Sequence, residues 1–285
     1  MSATTQVIHA VLRRLDYWGP EAQGSTRPAA LLRIGLGCIA LIRFAEELAP
    51  WAMNGVLGLG LSAMFFAFAA GTVIGANARL SVAGLGATIL MFYTFSKLTI
   101  GPPGWGHHHV YLLGAACLLL ALTDCGKSFS LDRMRAISDG HTRTAPREYG
   151  LIWGQRLIAL QLSAMYFWAA VDKTDWAFVS GQRLEQTFVW VYSGRALEFV
   201  LEWPAMLALA SFTVVVVEYW LAVAILIPRW RLAAITVGLS LHASFYLMLP
   251  VNTYSITAMM LYLALLDPGA VHRFIDRMLG YPEKA

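Results

Sequence analysis

The run "PAMLALASFTVVVVEYWLAVAILI" (residues 204–227) decides the fold class. It is 24 residues long and holds a single charge, Glu218. About 20 apolar residues in a helix cross the hydrocarbon core of a bilayer. A carboxylate near the middle of such a helix costs about 2.5–3.5 kcal/mol unless it is paired, so Glu218 must face other helices. Two readings of it stand open. One is a proton or substrate site. The other is a buried interhelical pair, with Arg33, Arg43 or Arg156 as candidate partners.

The rest of the chain agrees with a membrane reading. Of its 285 residues, 58% are hydrophobic and 13% charged, and the mean hydropathy is +0.59. Soluble domains carry about 25% charge. Seven further apolar runs resemble the first, near 30–49, 56–76, 80–99, 108–124, 151–171, 231–249 and 254–267. The expected fold is therefore all-α: a polytopic transmembrane helix bundle of about eight spans. No cleavable leader is expected, because the first run begins near Ala30 and lacks a short apolar region with an A-x-A site. Before it, Val7, Ile8, Val11, Leu12, Leu15 and Trp18 recur at helical spacing opposite Arg13, Arg14 and Asp16, which suits an interfacial helix. The expected organisation is an interfacial segment over 1–29, a transmembrane domain over 30–268 and a tail over 269–285.

The basic residues orient this arrangement. With the N-terminus in the cytoplasm, 14 of the 21 Lys and Arg residues fall in inside segments. Lys97, Lys173, Arg183 and Arg195 fall outside, and Arg33, Arg43 and Arg156 lie within spans. Cytoplasmic loops carry the excess of Lys and Arg, so both termini are expected inside, in a plasma (inner) membrane. The net charge of +4 follows from these loops and carries no implication of nucleic acid. Cys38, Cys117 and Cys125 show no CxxC spacing and read as packing residues. No disulfide and no metal site is expected.

The stretch "MYFWAAVDKTDW" (165–176) ends the fifth span and sets Lys173 near Asp172 and Asp175. A lysine there is either a snorkelling anchor or a base in an apolar pocket. His242 lies near the middle of the seventh span, as a satisfied hydrogen bonder or as a titrating group. "GPPGWGHHH" (101–109) lies outside at the start of the fourth span, level with Lys173. Three consecutive histidines point in different directions on a helix, whereas metal ligands want i, i+4 spacing, so the histidines are not read as a metal site. Residues 177–203 form the longest outer segment, with Leu184, Phe188, Val191 and Tyr192 on a helix-like piece.

An ordered set of these residues resembles the vitamin K-dependent γ-carboxylase family, and more closely its membrane module, the HTTM domain of many bacterial proteins. The set is His109, Tyr111 and Leu112; Ser130 and Asp132; Gln161, Tyr166, Ala169 and Ala170; Lys173, Trp176, Gly181 and Glu185; and later Glu218 and His242. The resemblance implies that Lys173 is the base that deprotonates a reduced quinone, with His109 assisting and His242 a further candidate. It also implies cofactor contacts from Tyr166, Trp176 and Glu218. The expected cofactors are reduced vitamin K or a menaquinol-type quinone, O2 and CO2. The carboxylase carries a large extramembrane domain after its helices. This sequence ends at Ala285, about eighteen residues past the last span, so propeptide recognition by such a domain is not expected. Asp172 stands where the vertebrate enzyme has a second lysine, and the interval from Lys173 to Trp176 is shorter.

Three functions follow in order. The first is a membrane enzyme using a quinol and O2 in an outward-facing pocket. The second is a non-enzymatic membrane partner in the maturation or export of a secreted peptide, docked on 177–203. The third is a transporter using Glu218 and His242; paired repeats are the mark of many transporters, and none is visible here. Expected partners are membrane lipid, a quinone and a secreted peptide or protein.

Overall fold

The computed structural model of the chain describes residues 18–51, 55–98, 108–139, 148–195 and 197–280. The interfacial helix expected before Trp18 lies outside these residues, as does most of "GPPGWGHHH". Helices stand in all eight places where apolar runs occur. They are α1 (Arg27–Trp51), α2 (Gly55–Ile74), α3 (Ala78–Lys97), α4 (His108–Leu120), α6 (Trp153–Asp172), α9 (Pro204–Ala224), α10 (Arg231–Met248) and α11 (Asn252–Leu261). Shorter helices complete the set: α5 (Leu131–Ser138), α7 (Trp176–Val179), α8 (Gln182–Tyr192) and α12 (Pro268–Met278). The only sheet among the described residues pairs β1 (Gln23–Ser25) antiparallel with β2 (Tyr149–Leu151).

The protein is thus an all-α polytopic membrane protein. Five helices are long and apolar enough to cross a bilayer unaided: those of α1, α2, α3, α9 and α10. A sixth joins them if the pair Asn252–Leu265 and Pro268–Met278, bent by 95°, counts as one span. Helix α4 has only 13 residues, which at 1.5 Å per residue is well short of the hydrocarbon core. Helix α6 has 20 residues, but Gln155, Arg156 and Gln161 lower its apolarity below that of a span.

The chain divides into two compact units, residues 1–158 with 263–285, and residues 159–262. In the first, Phe65 of α2 packs edge-on to Phe44 of α1 and against Phe92 of α3, all three buried. Arg33, buried on α1, donates to the backbone carbonyls of Cys125 (3.1 Å), Val73 (3.0 Å), Phe129 (2.6 Å) and Thr72. Arg27 bridges Glu148 (2.6 Å) and Asp276 (2.7 Å), tying α1 to the approach to β2 and to α12. The Ser-x-Asp motif is also structural. The Ser130 hydroxyl accepts from the Arg133 amide and caps α5. The Asp132 carboxylate accepts from the amides of Asn77 (2.8 Å) and Ala78 (2.7 Å), closing the N-terminus of α3.

The second unit holds the C-terminal part of α6 and helices α7 to α11. Pro204 starts α9 in the first turn, where its missing N–H costs nothing. Leu207, Ser211, Val215, Glu218 and Ala222 are buried at helical spacing, and Leu209, Phe212, Val216 and Val223 stay exposed. One face of α9 therefore meets protein and the other suits lipid, with Glu218 on the protein face. Helix α8 packs Phe188 against Val200 and Leu207, flanked by Leu184 and Tyr192. Gly181, at φ +86°, precedes it; a Cβ there would stand 2.7 Å from the Ala208 amide nitrogen.

Candidate functional site

The site grows from the end of α6. That helix stops at Asp172, and the next two residues still satisfy its last carbonyls while the third starts α7. The Lys173 amide still reaches the carbonyls of Ala169 and Ala170. The Thr174 hydroxyl donates to the Ala170 carbonyl (2.7 Å) and meets the Tyr219 hydroxyl at 3.0 Å. Asp175 caps α7 by accepting from the Phe178 amide (2.9 Å), and its other oxygen takes Arg183 at 2.8 Å. Asp175 is committed to the backbone and to Arg183, and the group that holds Lys173 is Glu218.

The Lys173 ammonium nitrogen lies 2.9 Å from both carboxylate oxygens of Glu218 and 3.3 Å from the Ala169 carbonyl. It also stands 5.9 Å over the Phe178 ring. The Lys173 side chain is 23% exposed and that of Glu218 only 2%. The partner of Glu218 is this lysine, which was not among the arginines weighed for it; Arg33 donates to backbone carbonyls in the first unit. The lysine reaches inward from the end of its helix and is not a simple snorkelling anchor.

Two turns before Lys173 on α6 stands Tyr166, fully buried. Its hydroxyl is 2.7 Å from His242 Nε2 on α10 and 2.7 Å from the Tyr262 hydroxyl. Tyr254 of α11 sets its ring edge-on to His242, with centroids 5.4 Å apart, and Phe245 does the same at 5.8 Å. Tyr262 reaches Tyr166 past Gly238, where a Cβ would fall 1.6 Å from the Tyr262 oxygen. A hydroxyl donates one proton and accepts others. Tyr166 can therefore take a hydrogen bond from Tyr262 and give one to His242 Nε2, which puts the histidine proton on Nδ1. That Nδ1 is buried and has no partner among the described residues. A cation–carboxylate pair and a tyrosine–histidine chain thus lie two turns apart along the end of α6.

Of the expected site residues, Lys173, Glu218, Tyr166 and His242 come together. Trp176 stands apart from the cluster, 78% exposed on α7. His109 is half-buried near the start of α4, in the first unit. Tyr254, Tyr262 and Gly238 were not singled out in the sequence. Their signal was present: Gly238 and His242 are four apart, and Tyr254 and Tyr262 eight apart, each pair on one helical face. Among the described residues no group of three His, Cys, Asp or Glu is placed to hold a metal ion.

An all-α bundle of apolar helices with a lysine paired to a buried glutamate belongs to the class of integral membrane proteins that keep an ionisable pair among their helices. Comparison with known families matches residues 31–268 to the HTTM domain. The chain belongs to this family, which is that of the vitamin K-dependent carboxylase-related membrane proteins. No curated protein and no solved structure matches it.

Proposed function

We propose that the protein is a membrane enzyme that uses a reduced quinone and O2 in carboxylase-like chemistry, with the Lys173–Glu218 pair as its proton-accepting centre. That pair is the observation that carries the reading. An ionisable pair kept inside a membrane protein is expensive and is a functional-site hypothesis by default. The neighbouring groups fit a quinone: an unpartnered buried ring nitrogen at His242, two tyrosine hydroxyls, and the flat rings of Phe245 and Tyr254. A reduced vitamin K or menaquinol-class quinone would supply hydroxyl protons and the electrons for O2. Tyr166 and His242 would hold its oxygens, and the apolar walls would keep water from a strong base. By resemblance, His109 takes the assisting role and CO2 is the carbon source.

In this reading the eight helices are eight spans, both termini face the cytoplasm of a plasma membrane, and the pair opens outward. The test is direct. Lipids extracted from the purified protein are searched for a quinone by mass spectrometry. Reduced vitamin K or menaquinol, O2 and bicarbonate are then added, and epoxide is assayed. Epoxide formation that disappears in Lys173→Ala supports the reading, and full activity in a folded Lys173→Ala protein overturns it.

A second reading, a docking partner for a secreted peptide, has its own observation. A groove of about 520 Å³ on α8 is lined by Gln182, Glu185, Gln186, Val189 and Trp190. Co-purification of a stoichiometric peptide without bound quinone favours it.

A further inference from the structure

We infer that the first unit holds a binding site for the headgroup of an anionic phospholipid, in the open cavity beside the start of α3. The inference goes beyond the function proposed above and shares no residue with it. The cavity has a volume of about 650 Å³ and is walled by the first turn of α3, the chain after α4 and the helix α5. Pockets for small ligands run to about 300–1,000 Å³.

The charges are arranged for an anion. Arg79, Lys127 and Arg133 line the cavity, against Asp124 and Asp132. Asp132 spends its two oxygens on the Asn77 and Ala78 amides, so it neutralises the positive end of α3 and leaves the three cations to others. Asp124 is the foot of the site. Its side chain is 17% exposed, against 55% for Arg79 and 48% for Lys127, which stand 3.7 and 2.9 Å from it. One sunken carboxylate thus holds two like charges side by side. Backbone carbonyls fix the same cations: Ala121 accepts from Arg79 at 3.0 Å, Tyr149 from Lys127 at 3.3 Å and Lys127 from Arg133 at 3.2 Å. Arg133 also faces Glu148 at 3.6 Å. The cations are in place before a ligand arrives, which lowers the cost of ordering them. An anion entering from outside meets exposed Arg79 and Lys127 ahead of the buried carboxylate.

The surroundings make that anion a lipid. Helix α3 is long and apolar enough to cross a bilayer, and Arg79 and Leu80 are its second and third residues. The cavity therefore lies at the depth where a membrane's headgroups meet its hydrocarbon. Leu80 lines it and is exposed. On α5, Arg133 and Ala136 line the cavity, and the next residue after each, Met134 and Ile137, is an exposed apolar side chain. A phosphate among the cations would have these side chains beside it for the start of its acyl chains. A water-borne phosphate compound would gain nothing from them. A zwitterionic headgroup would bring an ammonium of its own to three cations, whereas a phosphatidylglycerol-class headgroup brings none. Basic pockets at the ends of membrane helices recognise anionic headgroups on this principle.

The test uses the whole purified protein. Native mass spectrometry measures what it retains from detergent micelles doped with phosphatidylglycerol or with phosphatidylcholine of the same acyl chains, and from micelles with soluble glycerol phosphate added. Wild type is expected to hold phosphatidylglycerol at least about tenfold more tightly than phosphatidylcholine. Equal retention of the two lipids overturns the inference. So does glycerol phosphate bound as tightly as phosphatidylglycerol, which would make the site one for a soluble phosphate compound. Variants then place the site. Arg79→Gln combined with Lys127→Gln is expected to weaken phosphatidylglycerol binding by at least about tenfold, the scale of two Lys or Arg contacts to anionic lipid. Arg135→Gln removes an exposed cation of α5 that does not line the cavity, and is expected to change binding by less than about twofold. An undiminished affinity in the double variant overturns the inference, and so does an equal loss per charge in Arg135→Gln, because a diffuse basic surface would then suffice. If the double variant does not fold, Lys127→Gln alone is expected to lose about fivefold, and unchanged binding there is equally fatal.

Discussion

Gly238→Ala is the sharpest test of the site's architecture, because two principles assign it opposite signs. Alanine is favoured over glycine in a helix interior by about 0.5–1 kcal/mol, so local propensity predicts a more stable α10. Packing predicts the reverse. The new Cβ would lie 1.6 Å from the Tyr262 oxygen and 2.2 Å from Cζ. Reaching even 3.0 Å requires the hydroxyl to move by 1.4 Å. Moved toward Tyr166 it collides, and moved away it gives up a 2.7 Å hydrogen bond. Overpacking of this kind costs about 1–3 kcal/mol, and an interhelical hydrogen bond in a membrane protein adds about 0.6 kcal/mol on average. A net destabilisation of about 1–3 kcal/mol is expected, against about 0.6 kcal/mol for Tyr262→Phe. The assay is reversible unfolding of the detergent-solubilised protein. Gly238→Ala is measured alone and again in a Tyr262→Ala background, where the obstacle is gone and propensity alone should act. A double-mutant cycle then gives a coupling of opposite sign to the single effect. A neutral Gly238→Ala, or the same cost in both backgrounds, refutes the close approach of Tyr262.

Three further outcomes are expected. Gly181→Ala places a side chain at φ +86° and against the α9 backbone, so it should destabilise by at least the roughly 1–2 kcal/mol of the left-handed penalty; unchanged unfolding would contradict the approach of α8 to α9. Asp132→Ala removes the acceptor for two amides at the start of α3 and should cost about 0.5–2 kcal/mol, read as faster hydrogen exchange at Asn77 and Ala78. Asp175→Asn should keep the α7 cap but release Arg183, an exposed pair worth roughly 0.2–1 kcal/mol, and leave turnover intact; a large loss of activity would instead tie Asp175 to the site.

Much of the fold was legible because long apolar runs are sufficient to place membrane helices. The run at 204–227 became α9 with the same first residue, and the run at 231–249 became α10 almost to the residue. The difficult cases were those in which length and apolarity part company. Helix α4 is shorter than its apolar run because the chain turns at Ala121 and folds back through Asp124. Helix α12 has charges along one side, and no apolar run announces it. The site was half legible. Lys173, Glu218 and His242 stood out as polar groups in apolar surroundings, and Tyr166 entered only through the family resemblance. Their pairing did not, because a helix that is apolar all round carries no mark of which neighbour each face meets. The partner of Glu218 lies 45 positions back, at the end of a helix that had offered two nearer carboxylates as decoys. Gly238 was invisible for a related reason: its meaning lies in the absent side chain and in a tyrosine 24 residues later.

The four carbonyl acceptors of Arg33 also carry a consequence for biosynthesis. Two of them, at Thr72 and Val73, follow the arginine by about forty residues, and the other two, at Cys125 and Phe129, by more than ninety. The first helix therefore leaves the ribosome with a guanidinium that none of its own neighbours can satisfy. A lone arginine in a membrane helix is penalised by about 2.5–3.5 kcal/mol on insertion scales. Lateral release of α1 into lipid is then expected to be disfavoured until α2 and the segment after α4 have been made, so that α1 waits for α2 to α4.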